Sequence, residues 1–108
     1  FVAFWEKDEV NKNQAFSYEN ATDLLVVNTF NDKGNFGQFI FPKEVLLKQN
    51  ILKTTNSKGK MAIRVYPSWD HPISKQATAT QKWQLPYFIN MSDIKSLPIH
   101  ELLKLYFH

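Results

Sequence analysis

Four short runs of apolar, β-branched and aromatic residues punctuate an otherwise polar chain, at positions 2–5, 24–29, 38–41 and 61–66. Runs of this length, bounded by polar and turn-forming residues, predict strands. Between the second and third lies Asn31-Asp32-Lys33-Gly34-Asn35. Its Asp and Gly turn chemistry predicts an antiparallel hairpin joining 24–29 to 36–41. Residues 7–20 show no convincing period and read as a loop, with a short helical turn at most near Glu19 and Asn20.

Helical signals are fewer. Pro42 suits a first helical position because its missing N–H would be unpaired there in any case. Glu44 in the first turn and Lys48 near the end complement the helix dipole, so a helix is predicted over 42–48 with Val45, Leu46 and Ile51 or Leu52 turned inward. Gly59 marks a turn before the strand at 61–66, which Pro67 closes. Ser74 can cap a helix starting at Lys75, in which Ala79, Trp83 and Tyr87 recur at i, i+4 and i+8 as the inward stripe and Gln76, Thr80 and Gln84 share a neighbouring face. Pro86 must kink or restart that helix near Leu85. Beyond Pro98, Ile99, Leu102, Leu103 and Phe107 form the apolar stripe of a last helix. Strands and helices interleave, so a single mixed α/β domain over residues 1–108 is expected.

Composition narrows the class. At 108 residues, 44% apolar and 15% aromatic, the chain can build one core. The lack of cysteine excludes a disulfide framework and a thiolate nucleophile and fits a reducing cytoplasm. No long uncharged apolar run is present, so a soluble protein with no membrane partner is expected. The chain opens on Phe1-Val2-Ala3-Phe4-Trp5, without Met and already inside an expected strand, which predicts that an earlier segment is missing.

Charge is polarised along the chain. Residues 1–32 carry Glu6, Asp8, Glu9, Glu19, Asp23 and Asp32 against Lys7 and Lys12, a balance of −4. Residues 43–82 carry Lys43, Lys48, Lys53, Lys58, Lys60, Arg64, Lys75 and Lys82 against Glu44 and Asp70, a balance of +6. A basic second half is the footprint of an anionic partner, nucleic acid foremost, although scattered loop lysines also make an ordinary solvated surface.

Three dense blocks stand in order: Gly37-Gln38-Phe39-Ile40-Phe41-Pro42-Lys43, then Ala62-Ile63-Arg64-Val65-Tyr66-Pro67-Ser68-Trp69-Asp70, then residues 76–88 with Gln81-Lys82-Trp83-Gln84 inside. In this order they resemble the MepB-like family of small bacterial cytosolic proteins, named for a member encoded beside a multidrug efflux pump and its repressor. The resemblance is dense over 36–88 and looser over 1–5 and 23–27. Pro86 departs from the pattern, and a family region before Phe1 has no counterpart. The resemblance implies a restriction-endonuclease-like fold, a mixed sheet flanked by helices, with binding of DNA or RNA as the proposed activity and no defined reaction.

The residues expected to contact nucleic acid are Lys43, Lys60, Arg64, Lys75, Gln81 and Lys82. Lysines supply phosphate contacts, Gln81 an amide, and neighbouring Trp83 either a stacking ring or, as a member of the apolar stripe, a core side chain. Arg64 either snorkels from the core to an acid such as Asp70 or points toward phosphate. A Mg²⁺-dependent nuclease is the enzymatic alternative. It would need two carboxylates and a lysine converging at strand ends, and Asp23 and Glu6-Lys7 match that pattern poorly. Catalytic residues and metal ligands are therefore not assigned, and no cofactor is expected apart from Mg²⁺ under that alternative. Asp70-His71 reads as a surface pair because adjacent side chains diverge. A third reading is a protein-interaction module associated with an efflux operon, presenting Trp5, Tyr66 and Trp69 as an exposed patch.

Overall fold

Along the first nine residues burial alternates strictly: Val2, Phe4, Glu6 and Asp8 are half-buried while Phe1, Ala3, Trp5, Lys7 and Glu9 are exposed. That is the two-residue period of an extended chain with one covered face. The computed structural model describes residues 1–92 and 104–106. Their backbone gathers into two units, Phe1–Leu25 with Phe41–Arg64, and Val26–Ile40 with the described residues from Val65 onward.

In the first unit the extended run divides at Phe4. Strand β1 (Val2–Ala3) pairs antiparallel with β6 (Ala62–Ile63), whereas β2 (Trp5–Lys7) pairs antiparallel with β3 (Asn13–Ala15). Phe4 bridges them, donating its N–H to the Met61 carbonyl at 2.7 Å and packing its ring on Phe16 with centroids 4.5 Å apart. The β2–β3 hairpin occupies a stretch that reads as loop in the sequence. Its turn is held by Asp8, whose Oδ1 accepts the N–H groups of Val10 at 3.0 Å and Lys12 at 2.8 Å, and by Asn11 at φ 65°.

Helix α1 (Lys43–Lys48) follows with Pro42 as the residue before its first turn rather than inside it. It ends where Asn50 takes the left-handed conformation at φ 58°. The Ile51 N–H then bonds the Leu46 carbonyl and the Asn50 N–H the Leu47 carbonyl. This is the Schellman arrangement with its usual apolar contact, since Leu46 and Ile51 are both buried. With Leu52, Phe41 and Ile63 they form this unit's core.

The second unit holds a three-stranded sheet, β4 (Leu24–Phe30), β5 (Phe36–Pro42) and β7 (Phe88–Asn90) in the order β4-β5-β7, with the ends of β4 and β5 running into the first unit. The hairpin between β4 and β5 turns as the sequence predicts. Asn31 Oδ1 accepts the N–H groups of Lys33 and Asn35, each at 3.0 Å, and Gly34 sits at φ 85°. Strand β7 pairs antiparallel with β5, Phe39 opposite Phe88. Gly37 is required there, because a Cβ would lie against the Phe88 ring and 2.7 Å from the Ile89 carbonyl oxygen.

Helix α2 (Lys75–Gln84) is capped by Ser74, whose Oγ accepts the Ala77 N–H at 3.1 Å. It gives way at Leu85–Tyr87 to one 3₁₀ turn containing Pro86, as a proline without a donor requires. The chain is thus a mixed α+β arrangement of small sheets and a few helices. Three separate sheets among the described residues replace the expected single mixed sheet. The expected apolar stripe of a last helix, Ile99, Leu102, Leu103 and Phe107, lies outside the described residues; residues 104–106 are helical.

Candidate nucleic-acid interface

Helix α2 carries the side chains most relevant to an anionic partner, and its inward face is unusual. Ala77, Thr80, Gln81 and Trp83 are half-buried, and Gln84 is 0% exposed. Ala79, expected inside, is exposed, while Trp83 and Tyr87 are half-buried. The helix packs through amides instead of a continuous apolar stripe. Gln84 Oε1 accepts the Tyr66 N–H at 2.9 Å. Gln81 Nε2 donates to the carbonyls of Asp70 at 2.8 Å and Pro67 at 3.0 Å, and more loosely to that of Tyr66 at 3.4 Å.

Two side-chain amides therefore satisfy the backbone of Tyr66–Asp70, a segment with no ladder of its own. This also explains why the strand expected over 61–66 shrinks to Ala62–Ile63. The Tyr66 N–H is taken by a side chain, not by a neighbouring strand. Gln81, expected to read nucleic acid, has its donor nitrogen committed to this clamp.

Lys75 and Lys82 face the other way. Seven residues are just under two helical turns, so the two lysines lie on one side of α2, about 10 Å apart along the axis. Both are exposed, as are Thr78 and Ala79 between them. No acidic residue occurs from His71 to Ser92, so no carboxylate on α2 offsets them.

The other three expected contacts belong to the first unit. Lys43 opens α1 and places its Nζ 4.0 Å from the centroid of the Tyr18 ring, while its backbone N–H donates to the Asp23 carbonyl at 2.9 Å. Lys60 is exposed and anchored by its N–H to the Ile51 carbonyl at 2.8 Å. Arg64 is exposed, follows β6, and lays its guanidinium 4.2 Å from the Phe1 ring centroid.

Of the acidic candidates for metal chemistry, Asp23 is exposed and Glu6 is engaged in hydrogen bonds. Glu6 Oε2 accepts Gln14 Nε2 and the Ser17 N–H, both at 3.0 Å, and Oε1 accepts Asn20 Nδ2 at 3.0 Å. Gln14 Oε1 in turn accepts Lys53 Nζ at 2.7 Å. A cleft of about 470 Å³ lined by Lys7, Asp8, Glu9, Gln14 and Lys53, among others, lies beside this network. Desolvation pushes the Glu6 carboxyl up, but the Ser17 N–H and the Asn20 and Gln14 amides outweigh it and hold it below its ordinary value. Among the described residues no three His, Asp or Glu side chains converge as a metal site.

The sign of the Glu6 shift gives a pH prediction. A carboxyl with a depressed folded-state pKa contributes stability that is present above its unfolded value and is lost as pH falls through the folded one. Glu6→Ala should therefore destabilise the chain more at pH 7 than at pH 3 in paired urea titrations. Equal losses at both pH values would contradict the assigned network.

Of the three aromatic residues proposed as an exposed patch, only Trp5 is exposed, at 42%. Tyr66 is half-buried, and Trp69 packs its edge on Phe88 with centroids 5.5 Å apart. One feature escaped sequence reading: the Gln81/Gln84 clamp, signalled only by amides at i, i+3 opposite the lysines.

The chain belongs to the MepB-like family, whose family model matches residues 1–90. It is also similar to the protein of a solved structure described as "Crystal Structure of MepB", at 44% sequence identity and a TM-score of 0.81, over 85% of this chain and 61% of that one. The chain thus spans about three-fifths of that protein's length. No curated protein matches. No helix among the described residues is long and apolar enough to cross a membrane.

Proposed function

We propose that this chain is a nucleic-acid-binding member of its family that grips phosphates, with the outward face of α2 as the principal contact. One observation carries the reading: Lys75 and Lys82 stand on one exposed side of a helix without acidic residues. The amide clamp on the opposite side fixes the orientation of that face. Lys43, Lys60 and Arg64 are proposed as further phosphate contacts, all exposed or half-buried cations of the basic central region. Gln81, the remaining expected contact, has its amide nitrogen in the clamp, which leaves its Oε1 as the group to offer a ligand. A restriction-endonuclease-like relationship of the fold, a single domain over 1–108 and a cytoplasmic location are parts of the same reading, all of them expectations of the family resemblance and composition.

The test is the salt dependence of affinity for a short oligonucleotide. Each neutralised phosphate contributes a log–log slope of roughly −0.9 on duplex DNA and −0.7 on a single strand. Lys75→Ala with Lys82→Ala should flatten the slope by about twice that value without lowering the melting temperature. Binding that is insensitive to salt, or an unchanged slope in the double variant, rejects the reading.

A further inference from the structure

We infer that Gln81 gives the bound nucleic acid a base preference: its amide oxygen accepts a hydrogen bond from a base, so bases bearing an exocyclic amino group are held more tightly than uracil or thymine. The inference rests on the nucleic-acid reading above and specifies its ligand.

The clamp fixes which way the amide faces. Gln81 Nε2 is aimed at three carbonyls, those of Asp70 at 2.8 Å, Pro67 at 3.0 Å and Tyr66 at 3.4 Å. Turning the amide over would set its oxygen against those three oxygens, so the flipped form is excluded. The planar group therefore directs Oε1 away from the turn. Among the described residues no donor reaches that oxygen, and no buried side-chain oxygen lacks a partner. Oε1 thus lies at the surface as an open acceptor of fixed direction.

Its place on α2 is beside the phosphate contacts. Gln81 follows Thr78 by three residues and precedes Lys82 by one, which puts it on the shoulder between the exposed lysine face and the buried Gln84. The turn from Pro67 to Pro72 runs along this shoulder. Gln81 holds its Asp70 carbonyl, and Thr78 Oγ1 donates to the Pro72 carbonyl at 3.2 Å. The Asp70 carboxylate, exposed on the same turn, adds acceptors there and repels phosphate. Phosphates are thereby kept to Lys75 and Lys82, and the shoulder is left to a base edge. An acceptor is met by an amino group and opposed by a carbonyl. Cytosine and adenine present N–H groups where uracil and thymine present an oxygen.

The experiment is fluorescence anisotropy of the 108-residue chain with labelled oligo(dC), oligo(dU) and a duplex of the same length, at neutral pH and low salt. The two single strands carry equal charge and differ in the base by an amino group against a carbonyl. Oligo(dC) should bind roughly three- to tenfold more tightly, the effect of one hydrogen bond made or refused. Gln81→Arg keeps donors for the turn but has no acceptor, so it should abolish or reverse the preference. Lys75→Ala should weaken both complexes alike. Circular dichroism checks that the variants fold, and the comparison of the two strands on the parent chain needs no variant. Equal affinity of the parent for both strands, with a salt slope that still depends on Lys75 and Lys82, overturns this inference and leaves phosphate binding standing. A preference for oligo(dC) that survives in Gln81→Arg does the same. So does binding to the duplex with no binding to either strand, whereas failure to bind all three forms overturns both readings.

Discussion

Replacing Gln84 with Leu is expected to lower the melting temperature by roughly 10 °C. The side chain is wholly buried, and its Oε1 is the acceptor for the Tyr66 N–H. Leucine nearly conserves volume, so the dominant loss is not a cavity but a half-buried backbone donor left without its partner. Such a loss costs about 1–3 kcal/mol, and for a domain of this size about 1 kcal/mol moves the melting temperature by roughly 4–8 °C. Adding Gln81→Leu removes the bonds to the Pro67 and Asp70 carbonyls as well. The pair should release the segment from Tyr66 to Asp70, seen as faster hydrogen exchange of the Tyr66 amide. Unchanged melting and unchanged exchange would show that the amides do not hold that segment.

Gly59→Ala should cost more, about 3 kcal/mol, by two additive routes. At φ 69° any residue with a Cβ is strained, by roughly 1–2 kcal/mol. The new methyl would also lie 2.7 Å from both the Ala15 Cβ and the Ile51 carbonyl oxygen and 2.8 Å from the Leu52 carbonyl carbon. Two of those neighbours are backbone and cannot swing away, so an overpacking cost of about 1–3 kcal/mol is expected. Gly34 provides the control. It has a similar φ of 85° but nothing within 4 Å of the added carbon, so Gly34→Ala should show the backbone strain alone. The difference between the two midpoints in urea then isolates packing. Equal losses would mean that the Gly59 contact relaxes freely.

The parts of this fold that were legible in the sequence are those held by local rules. The hairpin at Asn31–Asn35 announces itself because Asn31 and Gly34 do the work of the turn within five residues. Helix α1 is legible because Pro42, Glu44 and Lys48 mark its two ends. What was missed depends on polar partners far apart in sequence. Strand β3, Asn13-Gln14-Ala15, has no apolar alternation, and Gln14 gains its place by bonding Glu6 and Lys53. Helix α2 was correctly bounded by Ser74 and Pro86, yet of the stripe expected inside, Ala79 is exposed and Trp83 and Tyr87 are half-buried, while the wholly buried position is Gln84. The period of apolar residues cannot reveal a face made by glutamines whose acceptors and donors lie 11 to 18 residues away.

The same difficulty shaped the candidate site. Charge along the chain pointed to basic residues, and the geometry sorted them by neighbour. Lys75 and Lys82 share an open helical face, Lys43 and Arg64 sit on aromatic rings, and Gln81 gives its amide nitrogen to the clamp.

The most direct test of phosphate binding by α2 is a backbone-amide NMR titration of the isotopically labelled chain with a short oligonucleotide. Phosphate contact through α2 predicts shifts at Lys75, Thr78, Ala79 and Lys82 that saturate with ligand and vanish at high salt, while Ala77 and Gln84 on the covered face stay in place. Shifts that leave those four amides unmoved at saturating oligonucleotide would contradict it.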